Sequence, residues 1–204
     1  MVRPSYARIW TRSAAAGSDC SKPSRNIFDF SKIESGTFVL HPAPISLATL
    51  LGRRMSELEL LGREKGLTVG HLVEIPSESM IMFDQYCLSK ALTNLLDNAI
   101  KFTDTGSVRA RLYRCADGQL GLEVRDTGIG INPEYLPRLF EPFSQQHSGS
   151  TRQFQGTGLG LALTKRYLAL NQACLEVEID RGSVFTIRFP SACEIKTDVV
   201  CTVR

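Results

Sequence analysis

The chain has 204 residues, of which 43% are hydrophobic and 22% are charged, so it can form one sizeable core and is not wholly disordered. Its formal net charge of +3 permits an anionic ligand but lacks the strong basic excess of a dedicated nucleic-acid-binding protein, so no nucleic-acid partner is expected. No apolar run approaches the ~20 residues that span a bilayer, and no membrane span is predicted in this chain.

Residues 1–26 carry five Lys or Arg residues against one acidic residue and are predicted to be a solvated, poorly ordered leader. A mitochondrial transit peptide is the alternative, because such peptides are also rich in Arg and Ser and poor in acidic residues. From Ile27 onward, apolar residues recur at helical spacing until Gly36, which predicts a short helix over 27–36.

The main unit is predicted over residues 37–192, followed by a C-terminal tail over 193–204. Apolar residues at three- and four-residue spacing indicate its helices, and alternation indicates its strands. In chain order, the pattern predicts a strand at 38–40, a helix over 46–65, a strand at 67–73, a helix that begins after Asp84, a hairpin of strands at 107–113 and 120–126, a short helix at 132–134, a polar loop over 144–155, a helix over 160–170, and strands at 174–179 and 183–189. This order gives an α+β two-layer sandwich, with three main helices on one face of a mostly antiparallel mixed sheet.

Two asparagines and a lysine share one side of the helix that follows Asp84. Asn94, Asn98 and Lys101 lie at i, i+4 and i+7, while apolar residues occupy much of the rest of the helix. Amide oxygens suit a hard cation such as Mg²⁺, which takes few protein ligands and leaves the other positions to phosphates and water. Lys101 would add a positive charge for those phosphates. A polar helix face in water explains the pattern equally well.

An aspartate followed by two glycines ends the predicted strand at 120–126. The carboxylate of Asp126 can accept a hydrogen bond from the amino group of an adenine base, and Gly128 and Gly130 leave the adjoining backbone without Cβ atoms. The alternative is an ordinary turn at the end of a strand.

A glycine-rich stretch leads directly into the helix over 160–170. Gly156, Gly158 and Gly160 place amide groups at a helix N-terminus, where the helix dipole favours phosphate. The stretch is neither the P-loop nor a strand-preceded GxGxxG motif, so neither of those nucleotide-binding folds is implied. Close packing at the start of the helix is the alternative explanation.

Together and in this order, the three stretches resemble the ATP-binding catalytic domain of histidine protein kinases, within the superfamily that also contains gyrase B, the Hsp90 chaperones and MutL. The matching segments are the N box at 94–103 (NLLDNAIKFT), the G1 box at 126–131 (DTGIGI), the F box at 139–145 (LFEPFSQ) and the G2 box at 156–163 (GTGLGLAL). The resemblance extends over about residues 27–190, and residues 27–36 look like the remnant of the linker from a dimerisation helix.

The resemblance implies ATP and Mg²⁺ as cofactors. It implies that Asn98 holds Mg²⁺ with Asn94 beside it, that Lys101 faces the phosphates, and that Asp126 accepts from the adenine amino group. It makes Arg152, in the polar loop that would close over ATP, a candidate for reaching the γ-phosphate, and Asn94, Lys101 and Arg152 are then the catalytic residues. The remaining nucleotide contacts would come from Phe102, Gly128, Gly130, Ile131, Phe140, Thr157, Gly158, Leu159, Gly160 and Leu161.

The sequence departs from the resemblance in lacking an acceptor histidine that is followed by an acidic residue on a helix. His41 precedes a proline, His71 lies in a predicted strand, and His147 lies in the polar loop. The expected function is therefore transfer of the ATP γ-phosphate to a histidine supplied in trans, by a dimerisation domain or a phosphotransfer protein, with a response regulator as a further partner. The alternative is a nucleotide-binding regulatory module, or a truncated kinase remnant, without turnover. A gyrase-like ATPase is a third possibility, but the amide of Asn94 cannot replace the glutamate that those enzymes use as general base.

The six cysteines are scattered and form no CxxC pair. Because a chain with a full core and no secretory segment needs no disulfides, reduced thiols and a cytoplasmic location are expected, although the even number also permits a disulfide framework. No zinc site is predicted, because no cysteine or histidine cluster has ligand spacing.

Overall fold

The computed structural model describes residues 21–146 and 157–195. The predictions for the leader before residue 21, for His147, Gly156 and Arg152 in the polar loop, and for the tail after residue 195 lie outside these ranges. In chain order, the elements are α1 (Ser21–Glu34), β1 (Pro42–Ser46), α2 (Leu47–Glu64), β2 (Thr68–Val73), β3 (Met80–Asp84), α3 (Gln85–Phe102), β4 (Ser107–Arg114), β5 (Leu120–Asp126), a 3₁₀ helix (Pro133–Arg138), α4 (Gly160–Leu170), β6 (Cys174–Ile179), β7 (Ser183–Phe189), a 3₁₀ turn (Ser191–Cys193) and β8 (Glu194–Ile195).

A five-stranded sheet with the order β2-β4-β5-β7-β6 forms one layer of the fold. β2 and β4 run parallel, whereas the other neighbouring strands are antiparallel. The second layer consists of α2, α3 and α4, which contact β2, β5 and β6 respectively. The predicted α+β two-layer sandwich is therefore confirmed. The opposite face of the sheet carries exposed ion pairs such as Arg111–Glu74, as expected for a face in contact with water.

The sequence pattern does not predict a second sheet, which has three strands in the order β1-β3-β8. β1 contains Pro42 and Pro44 and pairs with β3 at the edge of this sheet, a position that tolerates residues without a backbone donor. The predicted strand at 38–40 is wrong, because residues 37–41 have no regular structure. The ring of Phe38 instead packs against Tyr167 of α4, with 5.9 Å between the ring centroids.

Helix α3 is the central helix of the second layer. Asp84 caps it as predicted, and its Oδ1 accepts from the backbone nitrogen of Cys87 at 2.9 Å, which satisfies one of the free donors of the first turn. The predicted apolar side is buried and consists of Leu88, Ala91, Leu92, Leu95, Leu96 and Ala99. Because this side faces the core, the opposite side with Asn94, Asn98 and Lys101 is directed away from the centre of the core.

Replacement of Leu96 by alanine will lower the free energy of unfolding by about 2–5 kcal/mol, because it leaves a cavity in the core. The side chain of Leu96 is fully buried. The matched control is Leu60→Ala on α2, where the leucine is 64% exposed and the expected loss is below about 0.5 kcal/mol. Urea unfolding followed by circular dichroism measures both variants, and equal losses would contradict the assignment of α3 to the core.

Candidate functional site

The N-terminus of α4 meets α3 at Asn94. Asn94 is half-buried, and its Nδ2 donates to Thr164 Oγ1 at 2.9 Å, while Thr164 Oγ1 donates to the carbonyl of Gly160 at 3.0 Å. A Cβ on Gly160 would lie 3.0 Å from Asn94 Cγ and closer still to Oδ1. Close packing therefore explains Gly160, as the alternative interpretation of this motif states, and it fixes the orientation of the Asn94 amide.

The stretch before α4 also contacts the end of the F box. Gly158 has a φ of +69°, a conformation that favours glycine, and a Cβ at this position would lie 2.7 Å from the carbonyl carbon of Phe143. The amide of Phe143 donates to the carbonyl of Gly158 at 3.0 Å. Thr157 Oγ1 accepts from the amide of Leu159 at 3.4 Å. Leu159 is fully buried, so its contact with nucleotide stays a prediction.

Asp126 ends β5 and is buried, with 4% of its surface exposed. Its Oδ1 accepts from the amide of Gly128 at 2.9 Å and from the amide of Ser183 at 3.3 Å, and its Oδ2 accepts from the hydroxyl of Ser183. A buried carboxylate is tolerated where donors surround it. Asp126 is therefore held as an oriented acceptor at the end of the central strand, as the adenine interpretation requires.

Ser183 is the residue of this cluster that the sequence analysis does not identify. It is buried and begins β7, which pairs antiparallel with β5 so that Val184 faces Arg125. The pairing brings the beginning of β7 to the end of β5. A signal does exist in the sequence, since a serine preceded by glycine opens a strand rich in apolar residues, but its partner follows only from the strand order.

The G1 box is attached to the end of α3. The amide of Ile129 donates to the carbonyl of Phe102 at 3.1 Å, and a Cβ on Gly128 would lie 2.8 Å from the carbonyl carbon of Phe102. Gly130 has a φ of +70°, and a Cβ at this position would lie 3.2 Å from the carbonyl oxygen of Gly182, in the turn before Ser183. The two glycines therefore allow this loop to lie close to the end of α3 and to the turn before β7. The segment is a turn at the end of a strand, as the alternative interpretation states, and it is packed against two other elements.

Lys101 and Phe102 lie side by side at the end of α3. Lys101 Nζ lies 5.0 Å from the centroid of the Phe102 ring, and burial lowers the pKa of Lys101 below its usual value. A partly desolvated ammonium group gains more from an anionic ligand than one in bulk water.

Three further predicted site residues lie against the core. Ile131 is half-buried and packs against the main core. Phe140 is half-buried beneath Lys165 of α4, with Nζ 4.9 Å from the ring centroid. Leu161 on α4 also packs against the core. The structure gives these three residues a packing role, and their contact with nucleotide stays a prediction.

Helix α1 is fastened to α3 and α4 through a buried carboxylate. Asp29 Oδ2 accepts from the hydroxyl of Tyr86 at 2.5 Å and from that of Tyr167 at 2.7 Å. Burial and the nearby Asp29 raise the pKa of Tyr86 to about 12, so this hydroxyl stays a donor at neutral pH. The ring of Phe30 meets that of Phe143 edge-on at 6.1 Å. α1 thus contacts the segment that leads into the polar loop.

Residues 83–192 match the protein family described as "Histidine kinase-, DNA gyrase B-, and HSP90-like ATPase", and the match contains the N, G1, F and G2 boxes. The chain belongs to this family. The family assignment from the sequence is therefore confirmed.

Curated relatives in this ATPase family are sensor kinases. The chain is 38% identical over 168 residues to the sensor histidine kinase RcsC of Escherichia coli strain K12, a match that covers 81% of the chain and 18% of RcsC. It is 34% identical over 172 residues to the autoinducer 2 sensor kinase/phosphatase LuxQ of Vibrio harveyi, covering 81% of the chain and 20% of LuxQ. The chain therefore spans about a fifth of the length of these relatives.

Solved structures of family members share the fold. The full-length ShkA structure in complex with AMPPNP has a TM-score of 0.69 and 28% identity, covering 81% of this chain and 34% of ShkA. The histidine kinase AdeS of Acinetobacter baumannii has a TM-score of 0.66 and 20% identity, covering 83% of this chain and 77% of that chain, and supports the fold alone.

The donor set of this family member suits a cation that is shared with phosphates. Within residues 21–146 and 157–195, no group of three or more His, Cys, Asp and Glu side chains is placed to hold a metal ion. The amide oxygens of Asn94 and Asn98 are hard neutral donors, which fit Mg²⁺ when phosphates and water complete its coordination.

In the same two ranges, no helix is both long and apolar enough to cross a bilayer.

Proposed function

We propose that this chain binds Mg²⁺ and ATP and is the catalytic module that transfers the γ-phosphate to a histidine supplied in trans. The observation that carries the proposal is the buried carboxylate of Asp126, held by Gly128 and Ser183 at the end of the strand that lies beneath α3. Its remaining acceptor capacity suits the amino group of adenine and opposes the carbonyl oxygen that guanine presents at the same position. Residues 37–192 form the domain in this proposal, with residues 27–36 as the linker.

The phosphates lie between α3 and α4 in this proposal. Lys101 supplies a positive charge, and the amides of Thr157, Gly158 and Gly160 supply donors at the positive end of the α4 dipole. Asn98, with Asn94 beside it, would hold Mg²⁺, which neutralises phosphate charge when bound. Phe102 lines the adenine pocket, and Arg152 reaches the γ-phosphate from the polar loop.

Phosphoryl transfer requires positioning and charge neutralisation more than covalent chemistry by the protein. An imidazole nitrogen of the acceptor histidine forms the new bond to the γ-phosphorus, the bond to the bridging oxygen breaks, and ADP leaves. His41 has no helix around it, and His71 lies in β2, so neither is an acceptor on a helical hairpin. The relative RcsC is named a sensor histidine kinase, which supports transfer to a histidine. The need for ATP and the free thiols of Cys87, Cys115, Cys174 and Cys193 support a cytoplasmic location.

The experiment combines the purified chain with a dimerisation domain from the same genome, or with a histidine phosphotransfer protein, and with ATP labelled at the γ-phosphate. Labelling of the partner should be stable in base and labile in acid, and should disappear when the acceptor histidine is replaced by glutamine. Binding of ATP without labelling of any such partner would contradict transfer and leave a nucleotide-binding regulatory module.

Replacement of Asn98 by alanine will remove most of the gain in ATP affinity that Mg²⁺ provides, because one amide oxygen ligand is lost. Isothermal titration calorimetry with ATP is carried out in excess Mg²⁺ and again in excess EDTA. The variant should match the wild type in EDTA and bind roughly tenfold more weakly in Mg²⁺. Equal affinity of the wild type in Mg²⁺ and in EDTA would contradict the assignment of Asn98.

A further inference from the structure

The C-terminus of α3 is capped by hydrogen bonds from other parts of the chain. The last four carbonyl groups of a helix have no partner within the helix, and the cap residue of α3, Thr103, has extended backbone angles instead of a glycine cap. All four carbonyls nevertheless accept a hydrogen bond. The pairs are Ala99 with Thr103 Oγ1 at 2.7 Å, Ile100 and Lys101 with Lys65 Nζ at 2.8 and 3.2 Å, and Phe102 with the amide of Ile129 at 3.1 Å.

Lys65 supplies two of these four bonds from the turn that follows α2. Its ammonium group also donates to the carbonyl of Thr103 at 3.0 Å, so all three of its donors are used. A cation is favourable at this end of a helix because the dipole is negative there. The ion pair with Asp104 is longer, at 3.8 Å, and Asp104 is exposed, so it contributes little.

The hydrogen bonds that cap α3 involve residues of the candidate nucleotide site. Lys65 Nζ donates to the carbonyl of Lys101, and the carbonyl of the following residue, Phe102, accepts from the amide of Ile129. The amide of the preceding residue, Gly128, is bonded to Asp126. Backbone contacts therefore connect Lys65 to the phosphate-facing lysine on one side and to the adenine-facing carboxylate on the other.

We propose that Lys65 is a positioning residue for nucleotide binding, which keeps the end of α3 and the loop over residues 127–131 in the geometry that receives ATP. This inference rests on the proposed function of the site. Lys65 touches no nucleotide itself and acts through Lys101, Phe102 and Ile129. A cap with a purely structural role would change the fraction of folded protein but leave the ATP affinity of the folded protein unaltered.

The test compares three variants of the full chain. Lys65→Met keeps the aliphatic stem and removes the donors, Lys65→Arg keeps the charge and donors, and Asp104→Asn removes only the ion pair. ATP affinity is measured by calorimetry, and the exchange of the Ile129 amide is measured by NMR in nucleotide-free protein. Lys65→Met should bind ATP about tenfold more weakly and exchange Ile129 faster, whereas the other two variants should stay within about threefold of the wild type.

Wild-type ATP affinity of folded Lys65→Met would overturn the proposal whatever its Ile129 exchange, as would a loss of affinity in Lys65→Arg equal to that in Lys65→Met. If Lys65→Met does not fold, Lys65→Gln takes its place and is expected to show the same two changes to a smaller degree; values equal to the wild type would again overturn it. If the wild type binds no ATP, the proposed function fails, while the exchange of Ile129 still reports whether Lys65 holds the loop.

Discussion

Replacement of Asp126 by asparagine is expected to weaken ATP binding by about 30- to 1,000-fold, or roughly 2–4 kcal/mol. The Asp126 carboxylate is buried and already accepts from Gly128 and from Ser183. An amide in its place offers an NH₂ group where the adenine amino group must donate, so two donors face each other without an acceptor. Calorimetric titration with ATP in excess Mg²⁺ measures the loss.

The matched control for this substitution is Asp117→Asn in the turn between β4 and β5. Asp117 makes an exposed ion pair with Arg188, so its loss should change ATP affinity by less than about threefold. Thermal unfolding of both variants separates loss of binding from loss of fold. Unchanged ATP affinity in folded Asp126→Asn protein would show that the adenine pocket lies elsewhere.

Replacement of Gly128 by alanine is expected to weaken ATP binding by roughly 10- to 100-fold, because the new methyl group overlaps backbone atoms that cannot rotate away. The Cβ would lie 2.8 Å from the carbonyl carbon of Phe102 and 2.9 Å from Thr103 Oγ1. The clash separates the loop over residues 127–131 from the end of α3 and breaks the hydrogen bond from the amide of Ile129 to the carbonyl of Phe102. A fluorescent ATP analogue reports the affinity, and NMR reports the environment of the Ile129 amide.

Gly70→Ala is the control for this clash. Gly70 lies in β2, no heavy atom lies within 4 Å of a Cβ at this position, and its φ is not positive. The same added methyl group should therefore leave ATP affinity unchanged. If Gly128→Ala binds as tightly as Gly70→Ala, the contact between the G1 loop and α3 does not shape the nucleotide site.

The sequence predicts those parts of the fold in which helical spacing or strand alternation of apolar residues continues over many residues. α3 follows from the buried spacing of residues such as Leu92 and Leu96 and from the cap at Asp84, and the hairpin of β4 and β5 follows from alternation around Gly118. The small sheet escapes prediction because the prolines of β1 argue against a strand, and its pairing with β3 depends on tertiary structure. The apolar residues at 38–40 resemble a strand, although Phe38 is used for packing on Tyr167.

In the candidate site too, the sequence indicates local features but not contacts between distant residues. The residue types and their order indicate Asn98 and Asp126, because amide and carboxylate oxygens have a direct chemical use. Ser183 and Lys65 act through pairs separated by 57 and 35 residues, and nothing local in the sequence connects them. The docking of α1 through Asp29 is equally nonlocal, since a single acidic residue in a helix is normally solvated.

Titration of the folded chain with a fluorescent ATP analogue, followed by displacement with unlabelled nucleotide, tests whether α3, the loop after β5 and the start of α4 enclose ATP. We expect one saturable site from which ATP with Mg²⁺ displaces the analogue, with GTP much less effective because Asp126 repels the carbonyl oxygen of guanine. A well-folded protein that gives no saturable signal, or that GTP and ATP occupy equally, would contradict it.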